Sequence, residues 1–526
     1  MPERLRMNEG NRKWWTLAAM CFALFMVMLD NTVVNVALPS IQRDLHASLS
    51  ALEWTVNAYT LVFAVLLVTG GRLGDLFGRR RMFLFGVVVF ALSSATIGLA
   101  PTQTWLVASR ATQGIGAAFM MPGTLSIISN TFPPEERGRA IGTWAGVSAL
   151  ALAFGPVVGG ALAEHVSWRA IFFLNLPVAA GAIAMTLFAA RESYDRTVER
   201  AIDYRGIATL SIGLATLVLA LVEGNRWGWG SPAIVALLAT AAVGLASFAL
   251  VELRGPNPMV ELSYFRSRSF LGANAVAFVL SFSMLAMFFF MALYMQNILG
   301  YGPLEAGVRF LPSTIVIMFT APIAGRLADR IGPRPLMAIG LALTATALYL
   351  QSRVTVDTTY SDILWSFSIM GLGIGLTMSP MSTAAMNAVS ADKAGAASGI
   401  LSTFRMVGGT FGVAAIGALF QSLAYDRVDA TATTLHLSGS MRDELADNVG
   451  SGRLDAIFHD LDPATAERLA AGMREAFVHA LSGALTLSAS VAAIGAVLAL
   501  VLVEPKARRR VDPAHQPEVA EPLGAQ

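Results

Sequence analysis

Asp30 lies near the middle of the first apolar stretch of the chain, in the string LDNTVVNVALP from Leu29 to Pro39. A charged side chain in the hydrocarbon core of a membrane costs several kcal/mol, so an acidic residue there is a functional candidate by default. Its carboxyl group can bind a proton in one state of a protein and release it in another. The alternative is a neutral Asp30 that hydrogen-bonds a neighbouring helix.

A second charged residue, Arg110, lies in the apolar string LVASRATQGIGAA, from Leu106 to Ala118. An arginine within a membrane span needs a carboxylate or water as a partner. An adjacent guanidinium favours the ionised form of a carboxyl group, and its withdrawal favours the protonated form. Arg110 therefore either tunes proton binding by Asp30 or forms a structural ion pair with it, and both interpretations stay open.

The composition predicts that helices in a membrane position these residues. The chain has 526 residues, of which 55% are hydrophobic and 14% are charged, and its net charge is +2. A soluble domain carries about 25% charged residues. The single cysteine, Cys21, excludes an intrachain disulfide and a thiolate-ligated metal site, and we expect no metal ion.

Hydrophobic runs predict fourteen membrane spans, since a span needs about 20 mostly apolar residues. The predicted spans are 15–38, 52–71, 82–100, 104–129, 140–163, 169–190, 206–222, 232–251, 270–296, 306–325, 335–352, 361–388, 396–424 and 478–503. With the N-terminus in the cytoplasm, 25 Lys and Arg residues fall on the cytoplasmic side and five in the short outer loops. This bias places both termini in the cytoplasm and predicts a multi-pass protein of the inner or plasma membrane.

An internal repeat predicts the domain organisation. GRLGDLFGRR at 71–80 recurs as GRLADRIGPR at 325–334, after an even-numbered span in each case. Parallel repeats around a site at the bilayer midplane are a transporter architecture. We therefore expect an all-α polytopic membrane protein. Its predicted parts are a cytoplasmic N-tail 1–14, a six-helix half 15–190, a linker 191–269 with two extra helices, a six-helix half 270–503, and a disordered cytoplasmic C-tail 504–526.

The repeated loop has the composition of a switchable contact. Glycines permit a tight turn between two helices, and Asp75 can pair with an arginine or face the positive N-terminus of a helix. Such a contact can hold one conformation shut and break in another, although a basic loop that only fixes topology is the alternative. The predicted cytoplasmic gate consists of Gly71, Arg72, Asp75, Gly78, Arg79, Arg80, Asp329 and Arg330.

Small residues recur in the fifth predicted span. They are Gly142, Ala151, Gly155, Pro156, Gly159 and Gly160. Small residues four apart let membrane helices approach closely, and proline permits a bend. The pattern is also compatible with ordinary tight packing.

With these motifs in order, the chain resembles the major facilitator superfamily, and within it the fourteen-helix drug:proton antiporters. WRAIFFLNLP at 168–177 adds to the resemblance. It implies a major facilitator fold, a role for Asp30 in proton coupling and cationic-drug binding, a role for Arg110 in proton transfer, and an exporter signature in the fifth span. Two positions depart from the family pattern: Leu76 replaces an arginine, which Arg330 supplies in the second copy, and Ala151 replaces a glycine.

A substrate cavity is expected between the halves. Its candidate residues are Asn35, Trp54, Asn57, Tyr59, Met284, Met287, Phe288, Met291, Met295, Gln296, Asn297, Asn387 and Arg405. Methionine suits promiscuous binding because it is flexible and polarisable, but a methionine stripe at helical spacing also fits a core or lipid-facing surface. Arg405 either pairs with an acidic neighbour or favours anionic substrates.

The residues and the resemblance together predict a proton-coupled antiporter that exports hydrophobic or cationic drugs by alternating access. No phosphate-binding loop is present, so the chain is not expected to carry its own ATPase, and an enzyme is not predicted. No cofactor is expected apart from protons as the coupling ion. The expected partners are small hydrophobic or cationic substrates and the lipid bilayer, with no nucleic acid, a possible adaptor protein and a monomeric state.

Two other functions are open. The first is a dedicated exporter of one metabolite, antibiotic or lipid, since fold does not fix substrate. The second is a membrane sensor or enzyme that uses the long outer segment 425–477, which contains His436 and His459 without a recognisable metal-binding spacing. A structural outer cap is the simpler interpretation of that segment. A helix is expected within it, from Asp462 to Phe477.

Overall fold

The computed structural model describes residues 9–46, 49–194, 202–255, 258, 260–434 and 463–504. Residues 505–526 of the predicted C-tail and the middle of the outer segment, including His436 and His459, lie outside the described residues.

Helices form the described architecture. Their bounds are α1 Glu9–Leu45, α2 Leu49–Phe77, α3 Arg79–Gly98, α4 Gln103–Thr131, α5 Pro134–His165, α6 Trp168–Phe173, α7 Asn175–Ala189, α8 Tyr204–Trp227, α9 Pro232–Arg254, α10 Arg268–Asn297, α11 Pro303–Val308, α12 Leu311–Ile331, α13 Pro333–Gln351, α14 Tyr360–Asn387, α15 Ala394–Thr434 and α16 Pro463–Leu502. The helices α15 and α16 extend beyond the predicted spans 396–424 and 478–503, into the outer segment.

Local sequence explains where several helices begin. The side chains of Thr102, Asp203, Ser231 and Ser267 accept hydrogen bonds from the first turns of α4, α8, α9 and α10. Short polar side chains at these positions satisfy backbone N–H groups that have no partner within the helix. The turns in the repeated loops use Gly78 and Gly332, whose φ angles are 111° and 89°. Positive φ is readily adopted by glycine, so these two residues permit the sharp reversals.

Twelve helical segments of the described residues are long and apolar enough to cross a membrane. The helices α4 and α5 are not among them, although they have 29 and 32 residues. Both pack against several other helices, and α4 buries polar residues such as Arg110 and Gln113. A helix enclosed by protein need not be apolar, and the count of fourteen spans remains a prediction.

The helices form two halves that meet along several helix pairs. In the N-terminal half α1 packs on α5, and α2 and α3 pack on α4; in the C-terminal half α13 packs on α14 and α10 on α15. Between the halves α5 packs on α12 and α14, and α15 packs on α2 and α4. We call the face that carries 71–80 and 325–334 the motif face, and the other end of the bundle the opposite face.

The inserted helices α8 and α9 pack on each other, and α8 also contacts α2 and α15. Asp203 begins α8, and its Oδ1 accepts a hydrogen bond of 2.8 Å from the Gly206 N–H. Near the end of α9, Glu252 Oε2 accepts one of 2.9 Å from the Val260 N–H. The inserted helices therefore lie beside the contact between α2 and α15.

Candidate functional site

Asp30 is 2% exposed and lies inside the N-terminal half. Its Oδ2 accepts a hydrogen bond of 2.6 Å from Arg110 Nη1, and its Oδ1 accepts bonds of 3.0 Å from Gln113 Nε2 and 3.2 Å from Asn175 Nδ2. A buried carboxylate is tolerated when its charge is paired and its oxygens are hydrogen-bonded. The prediction that these two charges belong together is thus matched by a direct ion pair.

Arg110 is held by more than its ion pair. Its Nε donates to the Thr55 carbonyl oxygen at 2.9 Å, and its Nη1 also donates to Gln113 Oε1 at 2.5 Å. The guanidinium carbon lies 4.3 Å from the centre of the Tyr59 ring, in cation–π geometry. Arg110 and Gln113 are three residues apart on α4, and they therefore share a face of that helix.

Ser94 completes the network from α3. Its Oγ accepts hydrogen bonds from Gln113 Nε2 at 2.8 Å and from Asn175 Nδ2 at 3.2 Å, and it donates to the Phe90 carbonyl oxygen at 2.8 Å. The site thus joins α1, α2, α3, α4 and α7. Protonation of Asp30 would remove the counter-charge of Arg110 and force the arginine to find another partner. The arrangement can therefore convert proton binding into a movement of these helices.

Sequence reasoning missed Ser94, Gln113 and Asn175. Gln113 has a signal, since it lies one turn from Arg110 in the same string. Asn175 is a polar residue in the apolar string WRAIFFLNLP. Ser94 has no comparable signal, because serine can satisfy its hydroxyl within its own helix.

At the motif face, Asp75 joins the two halves. Its Oδ1 accepts bonds of 2.8 and 2.6 Å from Arg79 and of 2.9 Å from the Gly395 N–H, and its Oδ2 accepts one of 2.7 Å from the Ala396 N–H. Arg79 Nη2 also donates to the Asp392 carbonyl oxygen at 2.6 Å. Asp75 is fully buried and caps the N-terminus of α15. Both partners proposed for it, an arginine and a helix N-terminus, are present.

Asp329 repeats this arrangement with fewer contacts. Its Oδ1 accepts a bond of 3.2 Å from the Gly138 N–H, at the start of α5. Gly71 and Gly395 touch through their backbones, as do Gly325 and Gly138, so a Cβ on any of them would collide with the partner. We call these two contacts the Asp75 latch and the Asp329 latch. They close the motif face between the halves in this structure.

Arg330 does not complete the Asp329 latch. Its side chain is exposed, and within the described residues it forms no ion pair with Asp329. In the second copy of the loop, Pro333 occupies the position of Arg79. Asp329 therefore has no arginine that corresponds to the one bound to Asp75. The expectation that Arg330 supplies the latch contact is therefore wrong for this conformation, because α12 turns its side chain outward.

The remaining residues of the predicted gate hold the first loop in place. Arg72 donates to the Pro258 carbonyl oxygen at 3.4 Å, and Arg80 to the Leu187 carbonyl oxygen at 3.2 Å. Glu192 accepts hydrogen bonds from the backbone N–H groups of Arg80 at 3.0 Å and Arg81 at 3.2 Å, beside Gly78. A carboxylate at the N-terminus of α3 is favourable for the helix dipole.

The glycines of α5 contact two different helices. A Cβ on Gly142 would lie 2.6 Å from the Ala321 carbonyl oxygen of α12, so this residue permits contact between the halves. Gly155 lies against Thr32, and a Cβ on Gly159 would lie 2.8 Å from Val33 Cγ1. The predicted close packing is present at these positions. Of the other motif residues, Gly160 is partly buried, and the side chain of Pro156 lies outside the described ones.

Among the proposed substrate residues, those of α2 lie near Arg110. Tyr59 is 1% exposed and stacks on Arg110, whereas Trp54 and Asn57 are partly exposed. The side chain of Asn35 lies outside the described ones. Tyr59 thus belongs to the ion-pair site and not to an open cavity surface.

Most of the methionine stripe is core. Met287, Met291 and Met295 are 0% exposed and belong to the main hydrophobic cluster. Met284 and Phe288 are partly buried against the same cluster, and the Phe288 ring lies 5.0 Å from that of Phe310. The placement of Met291 on a cavity wall is therefore wrong in this structure, because α10 turns that face toward other helices.

Asn387 and Arg405 have contrasting positions. Asn387 ends α14 at the motif face, and its Oδ1 accepts a bond of 3.1 Å from Arg137 Nη1. The prediction that Asn387 lines a midplane cavity is wrong, since this residue connects the end of α14 to the start of α5. Arg405 lies well inside α15 and is partly exposed.

Comparisons with known proteins agree with this geometry. The family model described as Major Facilitator Superfamily matches residues 20–413. The Tetracenomycin C resistance and export protein of Streptomyces glaucescens is 37% identical over 415 residues, covering 79% of this chain and 77% of that protein. The multidrug resistance protein Stp of Mycobacterium tuberculosis (strain CDC 1551 / Oshkosh) is 37% identical over 405 residues, covering 77% and 75%.

Two solved structures share the fold. The human organic anion transporter MFSD10 (TETRAN) has a TM-score of 0.58 at 14% identity, covering 94% of this chain and 100% of that chain. A bacterial homologue of the human lysosomal transporter Spinster has a TM-score of 0.52 at 19% identity, covering 93% and 98%. The chain belongs to the Major Facilitator Superfamily, and its similarity to resistance and export proteins places it with the drug efflux transporters of that family.

Proposed function

We propose that this protein is a proton-coupled antiporter that exports hydrophobic drugs across the cytoplasmic membrane by alternating access. The observation that carries the proposal is the buried pair of Asp30 and Arg110, joined at 2.6 Å and hydrogen-bonded by Gln113 and Asn175. A carboxylate within a membrane helix bundle is a natural carrier of a proton. Moving one proton down about 100 mV releases about 2.3 kcal/mol, enough to drive a useful export gradient.

The motif face is proposed to be cytoplasmic, so the two latches close the cytoplasmic side in this conformation. The α5 glycines offer a mechanical link from the latches to the proton site. Gly142 of α5 lies on α12, while Gly155 of the same helix lies on Thr32, two residues from Asp30. A rigid helix that touches both places transmits a change at one to the other. Proton exchange at Asp30 would thus bias the opening of the latches.

The test measures export from cells that express the wild-type chain, Asp30→Asn or Asp44→Asn. We expect protonophore-sensitive efflux of at least one of two dyes, cationic rhodamine 123 and anionic fluorescein, from the wild type. Asp30→Asn should abolish it, because asparagine cannot exchange a proton, while Asp44→Asn on the same helix should retain it. Protonophore-sensitive efflux at the wild-type rate from Asp30→Asn would show that proton coupling resides elsewhere.

A dedicated exporter of one metabolite is the second candidate. Its support is that several relatives carry names of single compounds, including the Tetracenomycin C resistance and export protein and the probable actinorhodin transporter of Streptomyces coelicolor. A panel of chemically unrelated compounds discriminates between the two. Protection of a sensitive host against several of them supports a multidrug exporter, whereas protection against one supports a dedicated exporter.

A further inference from the structure

Arg405 is a charge deep in the bundle that has no ion-pair partner among the described residues. It lies ten residues beyond Gly395, which forms part of the Asp75 latch. At about 1.5 Å per residue this is about 15 Å from the latch, roughly half of a hydrocarbon core about 30 Å thick. Within the described residues its guanidinium forms no hydrogen bond or ion pair. An arginine at this depth requires water or a counter-charge.

Arg405 combines a deep position in the bundle with a partly exposed side chain. Partial exposure of a residue that protein surrounds is expected where neighbouring helices leave a space between them. Six residues before Arg405, Gly399 packs on Leu67 and Val68 of α2, and three residues after it Gly408 packs on Phe278 of α10. Arg405 therefore lies between a contact with the N-terminal half and a contact with the C-terminal half.

Two serines extend the same helix face. Ser398, Ser402 and Arg405 occur at positions i, i+4 and i+7, which share one side of a helix. The Ser398 Oγ is buried without a hydrogen-bond partner, and its residue is 0% exposed. An unsatisfied buried hydroxyl costs about 1–3 kcal/mol, so a ligand that accepts its hydrogen bond is favoured. Serine hydroxyls and a guanidinium are both donors, and an oxyanion accepts from both.

The other central charges do not offset this preference. Asp30 was expected to attract cationic drugs, but its charge is neutralised by Arg110, and the two residues are 2% and 1% exposed. Of these three charged residues, only Arg405 lacks a counter-charge in the part of the chain that the structure describes. A hydrophobic cation would be repelled by Arg405, whereas a hydrophobic anion would replace its missing counter-ion.

We propose that Arg405, with Ser398 and Ser402, binds the carboxylate or phenolate group of a hydrophobic organic anion, and that such anions are the preferred substrates. This proposal rests on the proposed export function and names its substrate class. The guanidinium would hold the oxyanion by charge-assisted hydrogen bonds. The apolar remainder of the substrate would stay between the two halves.

The experiment measures binding of two dyes to the purified full-length protein by fluorescence anisotropy. Fluorescein carries a carboxylate and a phenolate, while rhodamine 123 has the same xanthene skeleton and a positive charge. We expect the wild type to bind fluorescein more tightly than rhodamine 123. Arg405→Gln should weaken fluorescein binding at least about tenfold, the scale of one lost charge-assisted hydrogen bond. Binding of rhodamine 123 should stay equal or improve.

Two variants control for folding and for general charge. Arg405→Lys keeps the charge and should retain part of the fluorescein affinity, whereas Arg353→Gln removes an exposed arginine and should change neither dye. Equal fluorescein affinity in the wild type and Arg405→Gln, or a wild-type preference for rhodamine 123, would overturn the proposal. Asp30→Asn distinguishes the two proposals: if it retains protonophore-sensitive efflux while binding still depends on Arg405, only the proton-coupling proposal fails.

Discussion

At the scale of the residue, the buried charges of Asp30 and Asp75 are stabilised by the partners that the fold brings to them. Asp30 has three side-chain donors, and Asp75 has one arginine and two backbone N–H groups. Removing one member of such a pair leaves the other buried and uncompensated, which costs about 3–5 kcal/mol. The sites are therefore stable in one arrangement and sensitive to any change of protonation or distance.

Asp44 provides an exposed comparison at the opposite face. Its carboxylate is bound by Arg169 and by Trp168 Nε1 at 3.1 Å, and the arginine hydrogen bond followed by the tryptophan one holds the pKa of Asp44 below its ordinary value. A lowered folded-state pKa contributes stability above the unfolded-state pKa, and this contribution is lost as the pH falls through the folded-state value.

We therefore expect Asp44→Asn to lower the unfolding temperature equally at pH 7 and pH 5, and to have less effect near pH 3. The side chain is 48% exposed, so screening keeps the contribution below about 1 kcal/mol. Thermal unfolding of the purified protein at the three pH values measures it. A destabilisation already lost at pH 5 would contradict the ion pair.

At the scale of the element, the two latches share a plan but differ in strength. Each places an aspartate from the end of one helix at the N-terminus of a helix in the other half: Asp75 at α15 and Asp329 at α5. The Asp75 latch also includes Arg79, whereas the Asp329 latch has Pro333 at that position. The helix dipole contributes to both, and the buried ion pair to one.

Asp75→Asn should consequently open the motif face much more than Asp329→Asn. The first leaves Arg79 buried and unpaired, at a cost of about 3 kcal/mol, while the second weakens one hydrogen bond worth about 1 kcal/mol. The measurement is maleimide labelling of Ser129→Cys, a buried position near the end of α4, in a Cys21→Ser background. Labelling should be more than tenfold faster in Asp75→Asn.

The Asp329→Asn variant is itself the matched control, since it makes the same chemical change in the second copy of the loop. Equal labelling rates in the two variants would mean that the arginine adds nothing to the closed state. Unchanged labelling in both would mean that the latches do not hold this face.

At the scale of the whole molecule, orientation follows from the distribution of Lys and Arg. The alternation of helices puts Arg81 at the motif face and Leu99 at the opposite face. Both are exposed, with 76% of the Arg81 side chain and 68% of Leu99 accessible, and the only cysteine, Cys21, is buried. The excess of basic residues in the motif-face loops predicts that this face is cytoplasmic.

In the Cys21→Ser background, a membrane-impermeant maleimide should label Leu99→Cys in intact cells and should leave Arg81→Cys unlabelled. Arg81→Cys should be labelled in inverted membrane vesicles, which provides the control for reactivity. The reverse pattern would place the motif face outside and would invert the proposed direction of transport.

The sequence by itself determined the helical class, the two related halves and the pair of Asp30 and Arg110. Membrane helices need long apolar runs, and a charge within one needs a partner, so these features are local and visible in composition. The repeated loop likewise revealed both latch aspartates, because their spacing from the glycines is conserved between the two copies.

Only the tertiary structure decided which way each helix faces. Periodicity marks a face but cannot name its neighbour, and so the methionines at 287, 291 and 295 were compatible with a cavity until the structure placed them in the core. For the same reason Ser94, Gln113 and Asn175 became part of the site of Asp30 and Arg110, and Asn387 became part of the motif face. Contacts between distant segments depend on how the halves pack, and no local pattern encodes that packing.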